Sequence, residues 1–379
     1  MHSAKSDTVR DVWAASIIPR RIAPCSVHDQ AKVPKEKRID IPGHAIYGPF
    51  VGLVAQVDGH RTLKELIEYT EWVYDKQFSP GQIKKFISTI EHLAAYGYLG
   101  VTHTAIITMT DIIRALRETG VNAGDLVLVH SSLSAFGHIE GGADTVIEAF
   151  LEVLGPEGTL LMPTFTQSAI YCDGEWITSK AYRPFHLAKS EVWVGKIPAT
   201  FCQRPGVLRS VHPTHSVSGC GPLAEACLSE HRETDPPTGR RSPFGKLVDF
   251  GGKMTWFGAD LATATFFHFL EDEVNLPYLK PALCRVERED GALESVLVPR
   301  WLPGHRDFYR SPGETTKMYR RLIEKGLLIR WATLGLGRIK TIEVRPMYDL
   351  GMAALQDDPW LMLCDSRECV FCRAYNKSS

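Results

Sequence analysis

Long hydrophobic runs and a charge of one sign are both missing from this 379-residue sequence. No apolar stretch reaches the roughly eighteen residues that a membrane-spanning helix needs. The N-terminal stretch MHSAKSDTVRDVWAAS carries charges throughout and has no signal-peptide core. The formal net charge is only −1, so no overall field attracts nucleic acid or an anionic membrane. These absences predict a cytoplasmic protein without a nucleic acid or membrane partner.

Two phosphate-binding motifs are also missing. Neither G-x-G-x-x-G nor G-x-x-x-x-G-K-[ST] occurs, so the sequence indicates neither a dinucleotide-binding fold nor a nucleoside triphosphatase.

The nine cysteines form no disulfide framework. Six are scattered and read most simply as free thiols of a reducing compartment: Cys25, Cys172, Cys202, Cys220, Cys227 and Cys284. The other three form a C-terminal C-x4-C-x2-C pattern at Cys364, Cys369 and Cys372. A zinc knuckle needs a fourth ligand, and no histidine is near in sequence. We therefore expect no metal, and favour a loose, reducible tail over a metal site there.

The length favours two domains, which we place at residues 1–103 and 104–379. In the first, Thr62 can cap one amphipathic helix and Ser79 a second, with Pro80 at the first helical position. With an earlier apolar segment and a GYLGV strand, this predicts a small winged-helix-like α+β domain. Its DG-RT-EL and GYL motifs, in this order and spacing, resemble those of the PqqD-type peptide-recognition modules. Its nearly balanced charge disfavours DNA binding and favours docking of a peptide or carrier, or homodimer formation.

The second domain begins with a strand, a helix and a strand at residues 125–130, 141–155 and 158–165. Such a unit makes a parallel strand pair with a right-handed crossover. Ligands bind at the carboxyl ends of these strands, which here carry HSSLSAFGHIEGG and MPTFT. This rim of serine, threonine and glycine beside a helix N-terminus suits an anion. A polar loop that caps its own helix is the structural alternative.

Two histidine motifs lie further along the chain. In RSVHPTHSVSG, Pro213 disfavours helix at His212, so we expect a turn that places His212 and His215 on different sides. Their spacing and the lack of a third ligand disfavour metal. In TATFFHFLEDE, His268 and Glu271 share one helix face, where a carboxylate can hold an imidazole as a general base. Structural histidines and a solvated helix face remain the alternatives.

Four stretches together carry a family resemblance: DLVLVHSSLSAFGHIEGGADTVIEAFLEVLGPEGTLLMPTFT, VGKIPATFCQRPGVLRSVHPTHSVSGCGPLAEACL, SPFGKLVDFGGKMTWFGADLATATFFHFLEDEVNLPY and LGLGRIKTIEVRPMYDLGMAALQDDPWLML. Residues 108–363 resemble the aminoglycoside 3-N-acetyltransferase family of antibiotic N-acetyltransferases, which do not have the GNAT fold. The resemblance implies an α/β domain that uses acetyl-CoA, or another acyl-CoA, and acylates an amine directly.

The resemblance also assigns residues to sites. The implied cofactor-binding residues are Ser131, Ser132, Leu133, Ser134, Gly137, Gly141, Gly142, Thr164, Thr166 and Ser216. The implied catalytic residues are His212, Thr214, His215, His268 and Glu271. One histidine would remove a proton from the amine, and hydroxyl or backbone N–H groups near Thr214 or SSLS would stabilise the oxyanion. The resemblance favours His212 or His268 over His215 as the base.

One segment departs from the resistance enzymes, whose pockets for polycationic sugars are acidic. Residues 167–198 are basic and aromatic, with Lys180, Arg183, Lys189 and Lys196 against Asp173, Glu175 and Glu191. We therefore favour a biosynthetic N-acyltransferase acting on a small-molecule or peptide amine. The alternatives are an aminoglycoside resistance enzyme and a non-catalytic peptide-binding protein.

Overall fold

The computed structural model of the chain divides into two units. It describes residues 17–21, 30, 32–39, 49–75, 77–103, 106–168, 170–172, 175–177, 183–301, 307, 316–366 and 369–375. The first unit comprises residues 1–107 with 136–140, and the second comprises 108–135 with 141–379. The sequence places the boundary after residue 103 and does not predict that residues 136–140 group with the first unit. Cys25, Asp173 and Lys180 lie outside the described residues.

In its described residues the first unit has three α-helices, a short 3-10 helix (Lys35–Lys37) and a two-stranded sheet. Its elements are β1 (Ile17–Arg21), α1 (Pro49–Ala55), α2 (Leu63–Val73), α3 (Pro80–Ala95) and β2 (Leu99–His103). Thr62 and Ser79 cap α2 and α3 with capping boxes, as their motifs predict. However, β2 pairs antiparallel with β1, which precedes all three helices, and not within a hairpin. A pairing so distant in sequence has no turn signal that could reveal it.

The second unit is a mixed α/β fold. Its elements are α4 (Met109–Glu118), β3 (Leu126–Ser131), α5 (Gly142–Leu154), β4 (Thr159–Pro163), β5 (Ile170–Cys172), β6 (Glu175–Ile177), α6 (Lys196–Cys202), β7 (Leu208–Arg209), β8 (Val217–Cys220), α7 (Ala224–Leu228), α8 (Pro243–Asp249), β9 (Lys253–Phe257), α9 (Phe266–Glu273), β10 (Lys280–Glu287), β11 (Leu293–Trp301), α10 (Lys317–Glu324), β12 (Arg330–Leu334), β13 (Gly337–Glu343), α11 (Val344–Asp357) and α12 (Val370–Tyr375). Short 3-10 helices begin at Leu133 and Leu261.

A seven-stranded sheet organises this unit in the order β12-β13-β9-β3-β4-β8-β7. Strand β3 is parallel to both β4 and β9, and α5 is the crossover between β3 and β4, as the sequence predicts. Strand β8 runs antiparallel to β4, so the chain enters β8 where β4 ends. Four segments therefore meet at one end of the sheet: the ends of β3, β4 and β9 and the start of β8. A second, four-stranded sheet has the order β11-β10-β5-β6.

The sheet forms the core because its central strands are buried on both faces. The side chains of β4 are all buried, and so are those of β3 up to Ser131. Two buried faces explain why these strands read as continuous apolar runs. Among the described residues, no helix combines the length and the apolar character that crossing a membrane requires.

Gly221, directly after β8, tests how tightly the opposite end of the sheet, where β4 begins, is packed. Its φ is +114°, and a Cβ there would overlap the carbonyl oxygen of Gly158. Gly206 also has a positive φ, of +80°, but a Cβ there would meet nothing within 4 Å. Both Ala variants carry backbone strain, and Gly221→Ala adds overpacking that costs about 1–3 kcal/mol. Urea unfolding should show the larger loss for Gly221→Ala. Equal losses would contradict the packing described here.

Candidate active site

The sheet topology brings the serine rim and both histidine motifs to the end of the sheet where the parallel strands finish. Strands β3, β4 and β9 end there, because they are mutually parallel, and β8 begins there. The loop after β3 carries SSLS, the segment after β4 carries PTFT, and the loop before β8 carries HPTHS. Helix α9 follows β9 after a short loop and carries the second histidine motif. The fold thus assembles what the sequence spreads over more than one hundred residues.

A buried carboxylate holds the imidazole of His268. His268 and Glu271 are one turn apart on α9, and the His268 Nδ1 atom lies 2.7 Å from Glu271 Oε2. The other oxygen, Oε1, accepts a hydrogen bond of 2.7 Å from the Tyr278 hydroxyl. Glu271 and Tyr278 are fully buried, and His268 retains slight exposure. An ionised Glu271 makes Nδ1 the protonated nitrogen, so Nε2 is the basic atom that faces away from the carboxylate.

The histidine of the turn before β8 bonds to backbone at both ring nitrogens. His212 Nδ1 accepts hydrogen bonds from the backbone N–H groups of Thr214 (3.3 Å) and His215 (3.1 Å). Its Nε2 lies 3.2 Å from the carbonyl oxygen of Asp235, to which it donates. Burial and neighbouring histidines hold the pKa of His212 well below its usual value. Protonation of His212 Nδ1 by a substrate would cost these two backbone bonds, and Nε2 already carries a proton; His212 as the base stays a prediction.

His215 and His231 complete a cluster of imidazoles. The His212 ring stacks on His231 with centroids 4.6 Å apart and lies 6.2 Å from the His215 ring, nearly perpendicular to it. The two motif histidines have different neighbours, but their rings are adjacent. They lie closer together than the expected placement on different sides of the turn. His215 packs against Phe165 at 4.6 Å, and its Nδ1 is 2.8 Å from the Thr214 hydroxyl. Burial and the nearby His268 lower the pKa of His215 to about 3.

Two residues expected to bind the cofactor are buried instead. The Ser216 hydroxyl donates 2.7 Å to the carbonyl of Thr164, and the Thr164 hydroxyl donates 3.2 Å to the carbonyl of Ser216. Both side chains are fully buried. Arg209 covers this pair, with Nε 3.1 Å from Ser216 Oγ and a terminal nitrogen 2.9 Å from the Thr164 carbonyl. Thr164 and Ser216 therefore hold β4 and the HPTHS turn together and present no hydroxyl to a ligand.

Thr166 also bonds to the turn. Its hydroxyl donates 2.5 Å to the carbonyl oxygen of Pro213, which also accepts from Ser168. The backbone N–H of Thr214 donates to His212 Nδ1, so the oxyanion role expected for the Thr214 region stays a prediction. These bonds fix the proline turn against the segment that leaves β4.

The serine rim at the end of β3 retains exposure. Ser132, Leu133 and Gly142 are partly exposed, and Ser134 and Gly141 are exposed. Gly141, with φ +72°, is the N-cap of α5 and makes no side-chain cap bond, so the first N–H groups of a thirteen-residue helix remain available to an anion. Gly137, also expected here, groups with the first unit.

Residues 193–195 connect the rim with the histidine cluster. The Trp193 N–H donates 3.1 Å to the carbonyl of Phe165, the residue that packs on His215. Two residues on, the Cα of Gly195 approaches the Ser131 carbonyl, so that a Cβ there would lie 3.8 Å from it. The Ser131 hydroxyl is buried and has no hydrogen-bond partner among the residues that the structure describes. Residues 193–195 therefore lie against both the end of β3 and the residue that packs on His215.

Sequence reasoning missed three residues of this site: His231, Tyr278 and Trp193. Tyr278 follows Glu271 by seven residues, a helical spacing, but α9 ends at Glu273, so periodicity could not place it. His231 has no neighbouring motif. Trp193 is 58% exposed, which is unusual for tryptophan, but only the structure shows that exposure.

The basic character expected for residues 167–198 is reduced by pairing. Lys189 Nζ lies 3.3 Å from Glu287 Oε1 on β10. Arg183 and Lys196 are exposed. The pairing of Lys189 thus lowers the surplus of positive charge in the described part of this segment.

The described fold is that of known acetyltransferases. The chain resembles a crystal structure of the aminoglycoside acetyltransferase AAC(3)-IVa, with a TM-score of 0.58, 27% identity, and coverage of 73% of this chain and 98% of that chain. It also resembles AAC(3)-IIb, with a TM-score of 0.58, 26% identity, and coverage of 67% and 98%. A binary complex of AAC-IIIb with CoASH shares the fold at 23% identity, with a TM-score of 0.57 and coverage of 69% and 100%.

Sequence comparison gives the family. The family model described as aminoglycoside 3-N-acetyltransferase matches residues 128–356. An aminoglycoside N(3)-acetyltransferase VII of Streptomyces paromomycinus is 30% identical over 278 residues, which cover 66% of this chain and 92% of that protein. A type III enzyme of Acinetobacter baumannii is 36% identical over 178 residues, 45% of this chain, and the chain spans 62% of its length. The chain belongs to the aminoglycoside 3-N-acetyltransferase family.

The buried histidines predict a loss of stability in acid. Burial lowers the pKa of His130 and His231 to about 4, from 6.5. Between these values the unfolded chain binds protons that the folded chain does not. The free energy of unfolding should therefore fall as the pH falls through this window, by about 1.4 kcal/mol per pH unit for each proton.

Urea unfolding between about pH 7 and pH 5 measures this slope, because carboxylates titrate mostly lower. His130→Gln should reduce the slope, since glutamine takes up no proton. His60→Gln, at an exposed position of the first unit, is the matched control and should keep it. A flat profile in the unaltered protein would refute the depressed pKa values.

Proposed function

We propose that the protein transfers an acetyl group from acetyl-CoA to an amine of an aminoglycoside. The observation that carries this proposal is the buried His268–Glu271–Tyr278 chain at the same end of the sheet as the open serine rim. Family membership supports the reaction type, and the relatives' names support the acceptor. This reverses the order of our sequence-based hypotheses, because the comparisons favour the aminoglycoside alternative over a biosynthetic acceptor.

His268 is the proposed general base. An amine is protonated in water and becomes a nucleophile only when it loses a proton. The 2.7 Å contact with Glu271 keeps the proton of the neutral imidazole on Nδ1, so Nε2 can accept the proton of the attacking amine. Glu271 then stabilises the imidazolium through the same contact. The new C–N bond replaces the thioester C–S bond, and the thiolate leaves with a proton.

The other histidines take supporting roles in this proposal. His212 shapes the HPTHS turn through its two backbone N–H contacts and its contact with the Asp235 carbonyl. His215 is neutral at physiological pH, because its pKa is lowered to about 3. A neutral imidazole next to His268 adds no repulsion when His268 becomes charged, and it can donate a hydrogen bond to the acyl oxygen.

The rim is the proposed site of the acyl donor. Ser132, Ser134 and the N-terminus of α5 offer hydroxyl and N–H donors to a phosphate. The Ser131 hydroxyl, buried and without a partner in the described part of the chain, is a further donor at the end of β3. The thioester supplies an activated acyl group when it is bound here. Thr164 and Ser216 contribute only by fixing the turn.

Charge pairing bears on the acceptor. Carboxylates near the histidines are bound by arginines: Asp235 by Arg241, and Asp272 by Arg300 at 3.1 Å. A polycationic sugar would have to displace these partners before it gained ion pairs of its own. We therefore propose that aminoglycosides bind with a high KM, and that amines of lower charge compete well.

Acetyl-CoA with a panel of aminoglycosides, small neutral amines and peptides tests the reaction. Thiol release followed by a chromogenic reagent gives the rate, and mass spectrometry identifies the acetylated amine. His268→Ala should lower kcat by about 10²–10⁴-fold, because the general base is lost. His186→Asn is the matched control: His186 is a buried histidine outside the cluster, and its Nδ1 accepts only a backbone N–H. It should retain turnover.

Two results would contradict the proposal. The first is the absence of an acetylated product with every amine of the panel, even when thiol is released by hydrolysis. The second is a normal kcat for His268→Ala, which would move the base elsewhere. Acetylation of peptides without acetylation of aminoglycosides would restore the biosynthetic hypothesis.

We also propose that the first unit docks a peptide or carrier, as the modules that it resembles do. The support is an apolar patch at the end of α2, formed by Tyr69, Trp72, Val73 and Tyr74. Trp72 is 74% exposed, and its ring lies 5.8 Å from that of Tyr69. Exposed aromatic side chains of this kind are the usual anchors of a binding surface.

Trp72→Ala should weaken binding of fluorescein-labelled peptides with aromatic or aliphatic anchors by about tenfold, the typical loss at a central aromatic contact. Leu293→Ala, which removes an exposed apolar side chain of the second unit, is the matched control. Fluorescence anisotropy gives both affinities. Equal affinities, or a self-association that only Trp72→Ala abolishes in sedimentation velocity, would reject peptide docking.

A further inference from the structure

The three C-terminal cysteines converge in the core of the second unit. The sulfur atoms of Cys364, Cys369 and Cys372 all lie within 4.8 Å of one another. Each residue is at most 5% exposed, and all three belong to the main hydrophobic cluster of this unit. The sequence-based expectation of a loose tail is therefore wrong for this segment. The reacting groups at the sheet edge do not use these thiols.

The local backbone holds the sulfurs in this arrangement. Cys369 stands directly before α12, its N–H donates 3.1 Å to the Ser366 carbonyl, and Cys372 lies in the first turn of the helix. The backbone N–H of Cys364 donates to Cys372 Sγ at 3.4 Å. Nearby, Lys317 Nζ lies 3.0 Å from an Asp365 carboxylate oxygen and fixes the loop. A backbone N–H directed at sulfur stabilises a thiolate more than a thiol.

The spacing of the sulfurs fits a metal ion. Zinc–sulfur bonds of about 2.3 Å at tetrahedral angles place two sulfurs about 3.8 Å apart. A contraction of the triad by about 1 Å or less reaches this geometry, which side-chain rotation can supply. Within the described part of the chain, no other histidine, cysteine, aspartate or glutamate joins the group.

We propose that Cys364, Cys369 and Cys372 bind one zinc ion through three thiolates. Three S–H bonds break, their protons pass to solvent, and three Zn–S bonds form, with a water molecule as the fourth ligand. Thiolates also suit Cu(I), but charge decides between the two ions. Three thiolates with Zn²⁺ leave a net charge of −1, whereas Cu⁺ leaves −2. The smaller buried charge favours zinc.

The metal site anchors the C-terminal segment that packs beside Tyr278, the partner of the proposed His268–Glu271 pair. The Tyr375 ring lies 5.8 Å from the ring of Tyr278, and Trp360 lies 6.2 Å from Tyr278 on the other side of the cysteines in sequence. The Tyr278 hydroxyl donates to Glu271. Zinc binding therefore fixes both aromatic neighbours of the tyrosine that holds Glu271. The site is structural and lies outside the proposed chemistry.

Zinc uptake by the full-length, reduced protein tests the proposal. After incubation with zinc chloride and gel filtration, elemental analysis should find one zinc per chain. Cobalt(II) should give thiolate-to-metal charge-transfer absorption in the near ultraviolet, and three thiols should become protected from a thiol reagent. Cys369→Ser should weaken zinc binding by more than about 100-fold in a chelator competition, because it removes a ligand and not only an outer contact.

Cys202→Ser is the matched control, because Cys202 is a thiol of the same unit outside the triad, and it should keep full zinc affinity. If Cys369→Ser does not fold, the cobalt spectrum and the thiol count of the unaltered protein decide alone. No retained zinc, unchanged affinity in Cys369→Ser, uptake of Cu(I) but not zinc, or a disulfide within the triad of the freshly purified protein would each overturn the zinc assignment.

Discussion

The placement of one fully buried carboxylate constrains the whole site. Glu271 has two oxygens, and His268 takes one while Tyr278 takes the other, each at 2.7 Å. A buried carboxylate without such partners would be strongly destabilising, so the three side chains must be positioned together. This requirement links α9 to the segment before β10. Through the rings around Tyr278 it also reaches the C-terminal helix. The catalytic geometry proposed here therefore depends on packing far from the reacting atoms.

Burial and bonding separate the histidines of this site by role. His212 has both nitrogens bonded to backbone and stacks on His231, an arrangement that suits a structural role. His268 has Nδ1 bonded to a carboxylate and a slightly exposed ring, so Nε2, on the far side of the ring from Glu271, is its basic nitrogen. The two are indistinguishable as letters in a sequence. In this proposal the proline turn of RSVHPTHSVSG has a structural role, and the HFLE stretch of α9 supplies the base.

Local elements were predictable wherever a local rule applied. Capping boxes at Thr62 and Ser79 mark two helix starts. The strand, helix and strand around α5 follow from apolar runs between glycines, and their parallel pairing follows from the crossover. The pairing of β1 with β2, the burial of Thr164 and Ser216, and the contact of Tyr278 with Glu271 could not be predicted. Each depends on residues distant in sequence, for which spacing carries no information.

The sequence by itself determined the mixed α/β class of the second unit, its family resemblance and the His268–Glu271 pair, because helical spacing already makes those two residues neighbours. Tertiary structure alone decided which histidine is confined by backbone bonds, since Asp235 meets His212 only after the loops fold over the sheet edge. It also decided that the sulfur atoms of three C-terminal cysteines lie close together in the core, because the turn before α12 brings them there. Hydrogen bonds and metal sites need atoms within a few ångströms, and only the folded chain brings distant residues that close.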